Sequence, residues 1–237
     1  MLHSQQILGA IVRTFARVLL HREWVSVHSH IAELIAFLRT RPELVPPLVT
    51  QRLLVSAEDH RHGCHPGFDS YAICRAIFRR ITSGRREGAS TIEQQIVRVV
   101  TNRFEPTLRR KLREIMLASL VAGYFPKSVS PSVYLAIGYY GWQMNNYFQA
   151  CRRLRLQPNN LSLDEAATVV ARLKYPEPRI SPPQRVMQIE QRMKYLKRLY
   201  WTHIIDGTYD YLGIAKHGSA FRGSRKLTKA VSPIPLA

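Results

Sequence analysis

The sequence predicts a mostly α-helical fold, and three observations carry that expectation. Ser90-Thr-Ile-Glu93 and Ser162-Leu-Asp-Glu165 both have the form of a capping box, in which a hydroxyl and a carboxylate satisfy orphan amides at a helix start. Apolar residues recur at helical spacing, as in Ile31, Leu34, Ile35 and Leu38. Few segments alternate with the period of two that a half-buried strand requires.

Taken in order, the elements divide into three zones. Residues 1–43 read as two helices. The first, Ile7 to Leu20, carries Arg13 and Arg17 on one stripe, with Ile7, Leu8, Ile11, Phe15, Val18 and Leu19 around the rest. A secretory signal needs an uninterrupted apolar run of about 7–15 residues and a small-residue cleavage site. The longest run here is Ile7 to Val12, with no such site after it, and nothing approaches the roughly 20 apolar residues of a membrane span. The segment therefore reads as an amphipathic helix that either packs on its own domain, the commoner arrangement, or lies on a membrane. A second helix is expected from about Val25 to Leu38, before the break Pro42-Glu-Leu-Val-Pro-Pro47.

The second zone, residues 44–199, is expected to be one domain. Asp69-Ser70 opens a helix that Gly84 ends, and the two capping boxes open two more, the later one stopping before Pro176. Pro183 suits the first position of another helix, with Val186, Ile189, Met193 and Leu196 on one face. The third zone, residues 200–237, holds Arg222, Arg225, Lys226 and Lys229 among glycines and prolines and reads as a basic, partly disordered tail.

Of the 237 residues, 46% are hydrophobic, which excludes global disorder. Lys plus Arg number 35 against 16 Asp plus Glu, a formal charge of +19. So basic a surface must face something anionic: nucleic acid, an anionic membrane or a phosphate-bearing substrate. No zinc-finger pattern, RNA-binding aromatic motif or recognition helix is present, so specific nucleic-acid binding is not expected. Cys64, Cys74 and Cys151 are too few for a disulfide framework; Cys64 and Cys74 are near enough in sequence to pair, though nothing demands it.

Three clusters have the residue types for chemistry. The first is Glu58-Asp59-His60-Arg61-His62-Gly63-Cys64-His65-Pro66-Gly67-Phe68-Asp69. Its imidazoles and thiol invite a zinc reading, but their spacing fits no familiar closed site, and a solvated polar loop is the plainer alternative. Position argues against the plain reading, because the apolar run Leu53-Leu-Val-Ser-Ala57 delivers Glu58 from a core segment to a cleft wall. The second cluster, Gly88-Ala-Ser-Thr-Ile-Glu-Gln-Gln95 with Arg98, is a turn leading into a helix start, whose free amides suit a phosphate or sugar oxygen. The third is Arg109-Arg-Lys-Leu-Arg-Glu114 on a helix whose apolar face is expected from Leu108, Leu112, Ile115 and Met116. Arg110 and Lys111 stand at i, i+4 and i, i+3 to Glu114, either as an exposed salt-bridged face or as a cationic cradle with one carboxylate inside it.

Together the clusters resemble the ordered motifs of the family 51 glycosyltransferases, the peptidoglycan glycosyltransferases found as domains of penicillin-binding proteins or as monofunctional enzymes. The matching residues are Glu58-Asp59, His65, Gly67 and Asp69; then Gly88, Ser90-Thr91-Ile92, Gln94-Gln95 and Arg98; then Arg110-Lys111 and Glu114. Lys127, Tyr134-Leu135 and Tyr139-Tyr-Gly141 follow at the spacings of a fourth motif, and Leu161-Ser-Leu-Asp-Glu-Ala-Ala167 resembles a later segment. The resemblance spans residues 44–198 and implies a lysozyme-like helical domain that polymerises a polyprenyl-pyrophosphate-linked disaccharide, lipid II, with inversion and release of polyprenyl pyrophosphate. It implies Glu58 as base and Glu114 as second carboxylate. It assigns Asp59, His65, Ser90, Thr91, Gln94, Gln95, Arg98, Arg110, Lys111 and Lys127 to substrate binding. No cofactor is required by that chemistry, although a divalent metal is compatible with it. The implied partners are the lipid-linked substrate, an anionic membrane surface and other proteins of cell-wall synthesis. The implied location is the periplasmic face of the inner membrane, here with peripheral attachment expected because no spanning segment is seen.

The chain also departs from the family pattern. His62 replaces a usual Phe, Glu93 a usual Thr or Ser, and Val99 a usual Asn. Both acidic positions and the Asn of the fourth motif are Val129, Ser132 and Ala136, and an upstream acidic position is Ala122. These positions lie toward the acceptor side of the family cleft. The alternative reading is therefore a catalytically weak or divergent relative that binds lipid-linked sugars or uses a different acceptor.

Overall fold

A computed structural model describes residues 2–85 and 87–212, and among these the chain is mostly α, as expected. Ten α-helices run α1 (Leu2–Leu19), α2 (His21–Thr40), α3 (Leu48–Glu58), α4 (Ser70–Ser83), α5 (Ile92–Val100), α6 (Leu108–Tyr124), α7 (Ser130–Ile137), α8 (Tyr147–Leu154), α9 (Leu163–Lys174) and α10 (Pro183–Ile205). The only β pairing among the described residues is two isolated bridges at Gly141. Several local expectations hold: Asp69 caps α4 and Gly84 ends it in the left-handed conformation, Ser162 and Glu165 form a complete capping box on α9, and α10 starts at Pro183.

The centre is α3, packed against α7, α9 and α10. Leu53, Leu54 and Val55 are fully buried there, each worth about 1.5–3 kcal/mol relative to exposure. Around it α5 lies between α6 and α7, and α2 adds Trp24, Val27, Ile31, Ile35 and Leu38 to the same core. The second helix thus begins four residues earlier than expected, because buried Leu20 joins α1 to α2 and Trp24 already faces the interior.

Four expectations are corrected. The Ser90–Glu93 capping box does not form: Thr91 is the N-cap of α5, its hydroxyl accepting from the Gln94 amide and donating to the Gly67 carbonyl, while Glu93 turns into the interior. On α6 the buried face is Glu114, Leu117, Ala118 and Val121, so Leu108 and Leu112 are exposed. Val186 is likewise exposed on α10, where Ile189 and Leu196 are buried. The boundary expected after residue 199 falls inside α10, which continues to Ile205 and is followed by a 3₁₀ turn at Asp210–Leu212. The basic residues of the expected tail, from Arg222 on, lie outside the described residues.

α1 packs on its own domain, but with an unusual polarity. Gln5, Gly9, Arg13 and Ala16 face the protein: Gln5 donates to Ser70, Gly9 meets Pro66 where a Cβ would come within 2.4 Å, and Arg13 lies over Gly123. Arg17 stacks over the Tyr124 ring. The apolar residues Ile7, Leu8, Ile11, Phe15, Val18 and Leu19 point outward, with Phe15 61% and Val18 76% exposed. No helix among the described residues is long and apolar enough to cross a membrane.

Candidate active site

Glu58 is the last residue of α3, because Asp59 leaves the helix with φ −160° and ψ 68°. Its Oε2 accepts from Gln95 Nε2 at 2.9 Å. The Tyr134 hydroxyl donates to the other end of the Gln95 amide. Burial, with the Glu58 charge behind it, pushes the Tyr134 phenol well above its ordinary range, so Tyr134 keeps its proton and acts as donor. That fixes the Gln95 amide with its NH₂ toward Glu58. Arg192 of α10 donates to the Ala57 carbonyl at 2.8 Å and stands 3.7 Å from Glu58 Oε1. Glu58 opens on a cleft of about 400 Å³ whose wall includes Arg61, Arg75, Ser90, Arg192 and Tyr195.

On the far side of Ser90 lies a compact cation cluster. Arg98 makes a bidentate pair with Glu114, both contacts at 3.0 Å, Lys111 Nζ approaches Glu114 Oε1 at 2.8 Å, and Arg110 Nη1 donates to the other oxygen. Three cations on one carboxylate leave a net charge of +2. Lys111 also donates to Ser90 Oγ at 2.9 Å and to the Gln94 side-chain oxygen, and Arg98 reaches Ser90 Oγ at 3.3 Å. Burial pushes the Glu114 carboxyl up, but hydrogen bonds and charge from Arg98 and Lys111 outweigh it and hold the pKa below its ordinary value. Burial lowers the Lys111 pKa, only partly opposed by Glu114.

Behind these two groups is a buried charged layer. Asp59 accepts from His65 Nε2 at 3.0 Å on both oxygens and from the Ile92 amide at 3.1 Å. Gly67, at φ +96°, has no room for a side chain, since a Cβ would sit 2.2 Å from the Ala118 carbonyl oxygen. Lys127 Nζ lies 2.9 Å from Glu93 Oε1 and 3.3 Å from His65 Nδ1. His62 Nε2 lies 2.7 Å from the same Glu93 oxygen. Burial opposes the Glu93 charge, yet His62 and Lys127 hold its carboxyl well below the usual range. Asp59, His65 and Glu93 place three possible metal-ligand atoms within 4.8 Å of one another. The Lys127 ammonium already contacts two of those residues, so the layer carries its own cation and does not fit a metal ion.

All the expected site residues therefore fall into three connected groups. Glu58 faces the cleft, with Gln95 bonded to it; Ser90, Gln94, Arg98, Arg110, Lys111 and Glu114 form the cation cluster; Asp59, His65, Thr91 and Lys127 make up the layer beside them. The sequence reading missed Arg192, which carries no signal among so many arginines, and the His62–Glu93 pair. That pair did leave a trace: two unusual ionisable residues stand where the family pattern has an aromatic and a hydroxyl, and each is the other's partner.

The transglycosylase family pattern matches residues 37–200. The chain is 30% identical to penicillin-binding protein 1B of Escherichia coli strain K12 over 199 residues, 80% of this chain and 23% of that protein. It is 30% identical to penicillin-binding protein 1A of Rickettsia prowazekii strain Madrid E over 149 residues, 60% of this chain and 19% of that protein. Against the monofunctional glycosyltransferase of Staphylococcus epidermidis strain ATCC 35984 it is 34% identical over 95 residues, 40% of this chain and 35% of that protein. The alignments thus span about a fifth of the penicillin-binding proteins and about a third of the monofunctional relative. With the family's motifs gathered around Ser90 and its pattern matched from residue 37 to residue 200, the chain belongs to the transglycosylase family.

Proposed function

We propose that this chain is a peptidoglycan glycosyltransferase that polymerises lipid II into glycan strands. The observation that supports it best is the link through Ser90 between a carboxylate on an open cleft and a cluster carrying excess positive charge. Glu58 takes the proton of a sugar 4-hydroxyl as that oxygen attacks the anomeric carbon of the growing chain. The bond from that carbon to the pyrophosphate oxygen breaks with inversion, and polyprenyl pyrophosphate leaves. Arg98, Arg110 and Lys111 meet the charge that develops on the leaving group, and Glu114 holds the three in place. Ser90 and Gln95 contact substrate, while Asp59, His65, Thr91, Gln94 and Lys127 shape that face from beneath.

One observation favours a second reading, a divergent relative with another acceptor. The fourth-motif positions Ser132 and Ala136 are buried in α7, and Ser132 donates to the Val129 carbonyl just before that helix. Incubation with labelled lipid II, reading polymer and polyprenyl pyrophosphate separately, decides between them. Both products support polymerisation, pyrophosphate without polymer supports a different acceptor, and neither product refutes both.

We also propose peripheral attachment to the inner membrane, on its periplasmic face. The outward apolar side of α1 suits insertion at the headgroup boundary, and basic residues near an anionic leaflet add about 1 kcal/mol each before screening. Ile77, Phe78 and Ile81 of α4 are exposed as well, on a helix with no buried residue. Ala16, Leu20 and Trp24 belong to the core, so the test replaces only exposed residues. Phe15→Ser with Val18→Ser is expected to release the protein from anionic vesicles at lower salt than the parent. Equal release would refute a role for α1.

A further inference from the structure

Past the end of the family match, residues 203–212 reach back to the segment that carries Glu58. The Tyr209 hydroxyl is hydrogen-bonded to Ser56 Oγ, and His203 Nδ1 lies 2.8 Å from the same oxygen. The Tyr211 hydroxyl lies 2.6 Å from His62 Nδ1, with the two rings 5.4 Å apart. Ser56 precedes Glu58 by two residues and His62 follows it by four. Gly63 leaves the room this needs, since a Cβ there would come within 3.0 Å of the Tyr211 ring. Tyr209 and Leu212 are themselves buried in the core, which anchors the segment.

Where His62 is a neutral imidazole, the hydrogen bonds at Tyr211 run in one direction. The Glu93 carboxylate only accepts, so His62 Nε2 carries a proton toward it. Burial holds the Tyr211 phenol protonated, leaving it to donate to His62 Nδ1. The result is a directed chain from Tyr211 through His62 to Glu93, where Lys127 ends it.

We propose that Tyr209 and Tyr211 are positioning residues that clamp the Glu58 segment from both sides. The clamp rests on the reading of Glu58 as base, because what it positions is that carboxylate relative to a bound hydroxyl. Displacing a reacting group by 1 Å can cost roughly 10²-fold in rate, and losing one of two anchors shifts it less.

The experiment uses Tyr209→Phe and Tyr211→Phe in the full chain, each alone and combined with Glu58→Gln. Each single variant is expected to lose about tenfold in kcat with KM changed less than about twofold, the pattern of a group acting only on the chemical step. In the Glu58→Gln background neither is expected to cost more, because no base remains to be positioned. Parental kcat in both single variants overturns the clamp. So does an equal proportional loss in the two backgrounds, which marks a structural role alone. Failure of the underlying reading is distinct: there Glu58→Gln itself retains turnover.

Discussion

Two glutamates at helix positions a few side chains apart live in opposite surroundings, and the contrast separates what each can do. Glu58 ends its helix at a cleft wall, 21% exposed, with one amide donor at 2.9 Å and a guanidinium no nearer than 3.7 Å. Glu114 is 2% exposed, inside its helix, with three cations on its two oxygens. A carboxylate free on one side accepts a proton; one saturated by cations orders those cations. Residue type is the same, and on the proposed reading environment assigns the roles.

The largest expected effect tests the first half of that contrast. Glu58→Gln preserves shape and hydrogen bonding but cannot take a proton, so kcat is expected to fall by roughly two to four orders of magnitude while substrate affinity changes little. Steady-state turnover and equilibrium binding of lipid II check it together. Near-parental turnover would erase the distinction between the two glutamates.

The next effect tests the other half. Lys111→Ala is expected to cost about 2.7–4 kcal/mol of transition-state stabilisation, the range for loss of one preorganised donor. Arg98→Ala is expected to match it in rate and to lower Tm more, because it removes a bidentate partner from buried Glu114. Equal turnover of both variants with the parent would leave the cluster a purely structural feature.

Much of this was legible in the sequence where local chemistry decides. The Asp69 cap, the Ser162 box and the Pro183 start depend on a few neighbouring atoms, and they formed as read. The Ser90 box failed because both its side chains found charged partners distant in sequence: Ser90 bonds to Lys111 and Arg98, and Glu93 to His62 and Lys127. The motifs located Glu58 and Glu114, but their contrasting surroundings come from tertiary packing, with Arg192 arriving from α10 and Arg98 from α5. Helical periodicity also misjudged α6, where the interior is reached by Glu114 and Leu117 and not by Leu112.

A third expected effect concerns acid stability. Glu93 and Glu114 both have folded pKa values below the ordinary 4.5. The unfolded chain therefore binds more protons as pH falls below that value, and stability rises with pH across this window. The contribution is fully present above about pH 4.5 and is lost as pH falls through the lower folded values. Thermal unfolding should show Tm dropping from about pH 5 to about pH 3, and less steeply in Glu114→Gln, which lacks one of the two groups. An identical slope in both proteins would mean Glu114 is not held ionised by its cations.

The smallest expected effect is also the sharpest control. Arg113 shares α6 with Lys111 and adjoins Glu114 in sequence, yet it pairs with Glu23 of α2, at 3.2 Å, with the two side chains 31% and 28% exposed. Glu23 keeps a second cation in Arg103 when Arg113 is removed. Exposed pairs of this kind contribute about 0–1 kcal/mol, so Arg113→Ala should change stability by less than about 1 kcal/mol and turnover by less than about twofold. Both variants remove one positive charge from the same helix, and only Lys111→Ala removes a contact to Ser90 and Glu114. A loss in Arg113→Ala as large as in Lys111→Ala would mean that turnover tracks the overall basicity of α6, and the geometry around Glu114 would then explain nothing about rate.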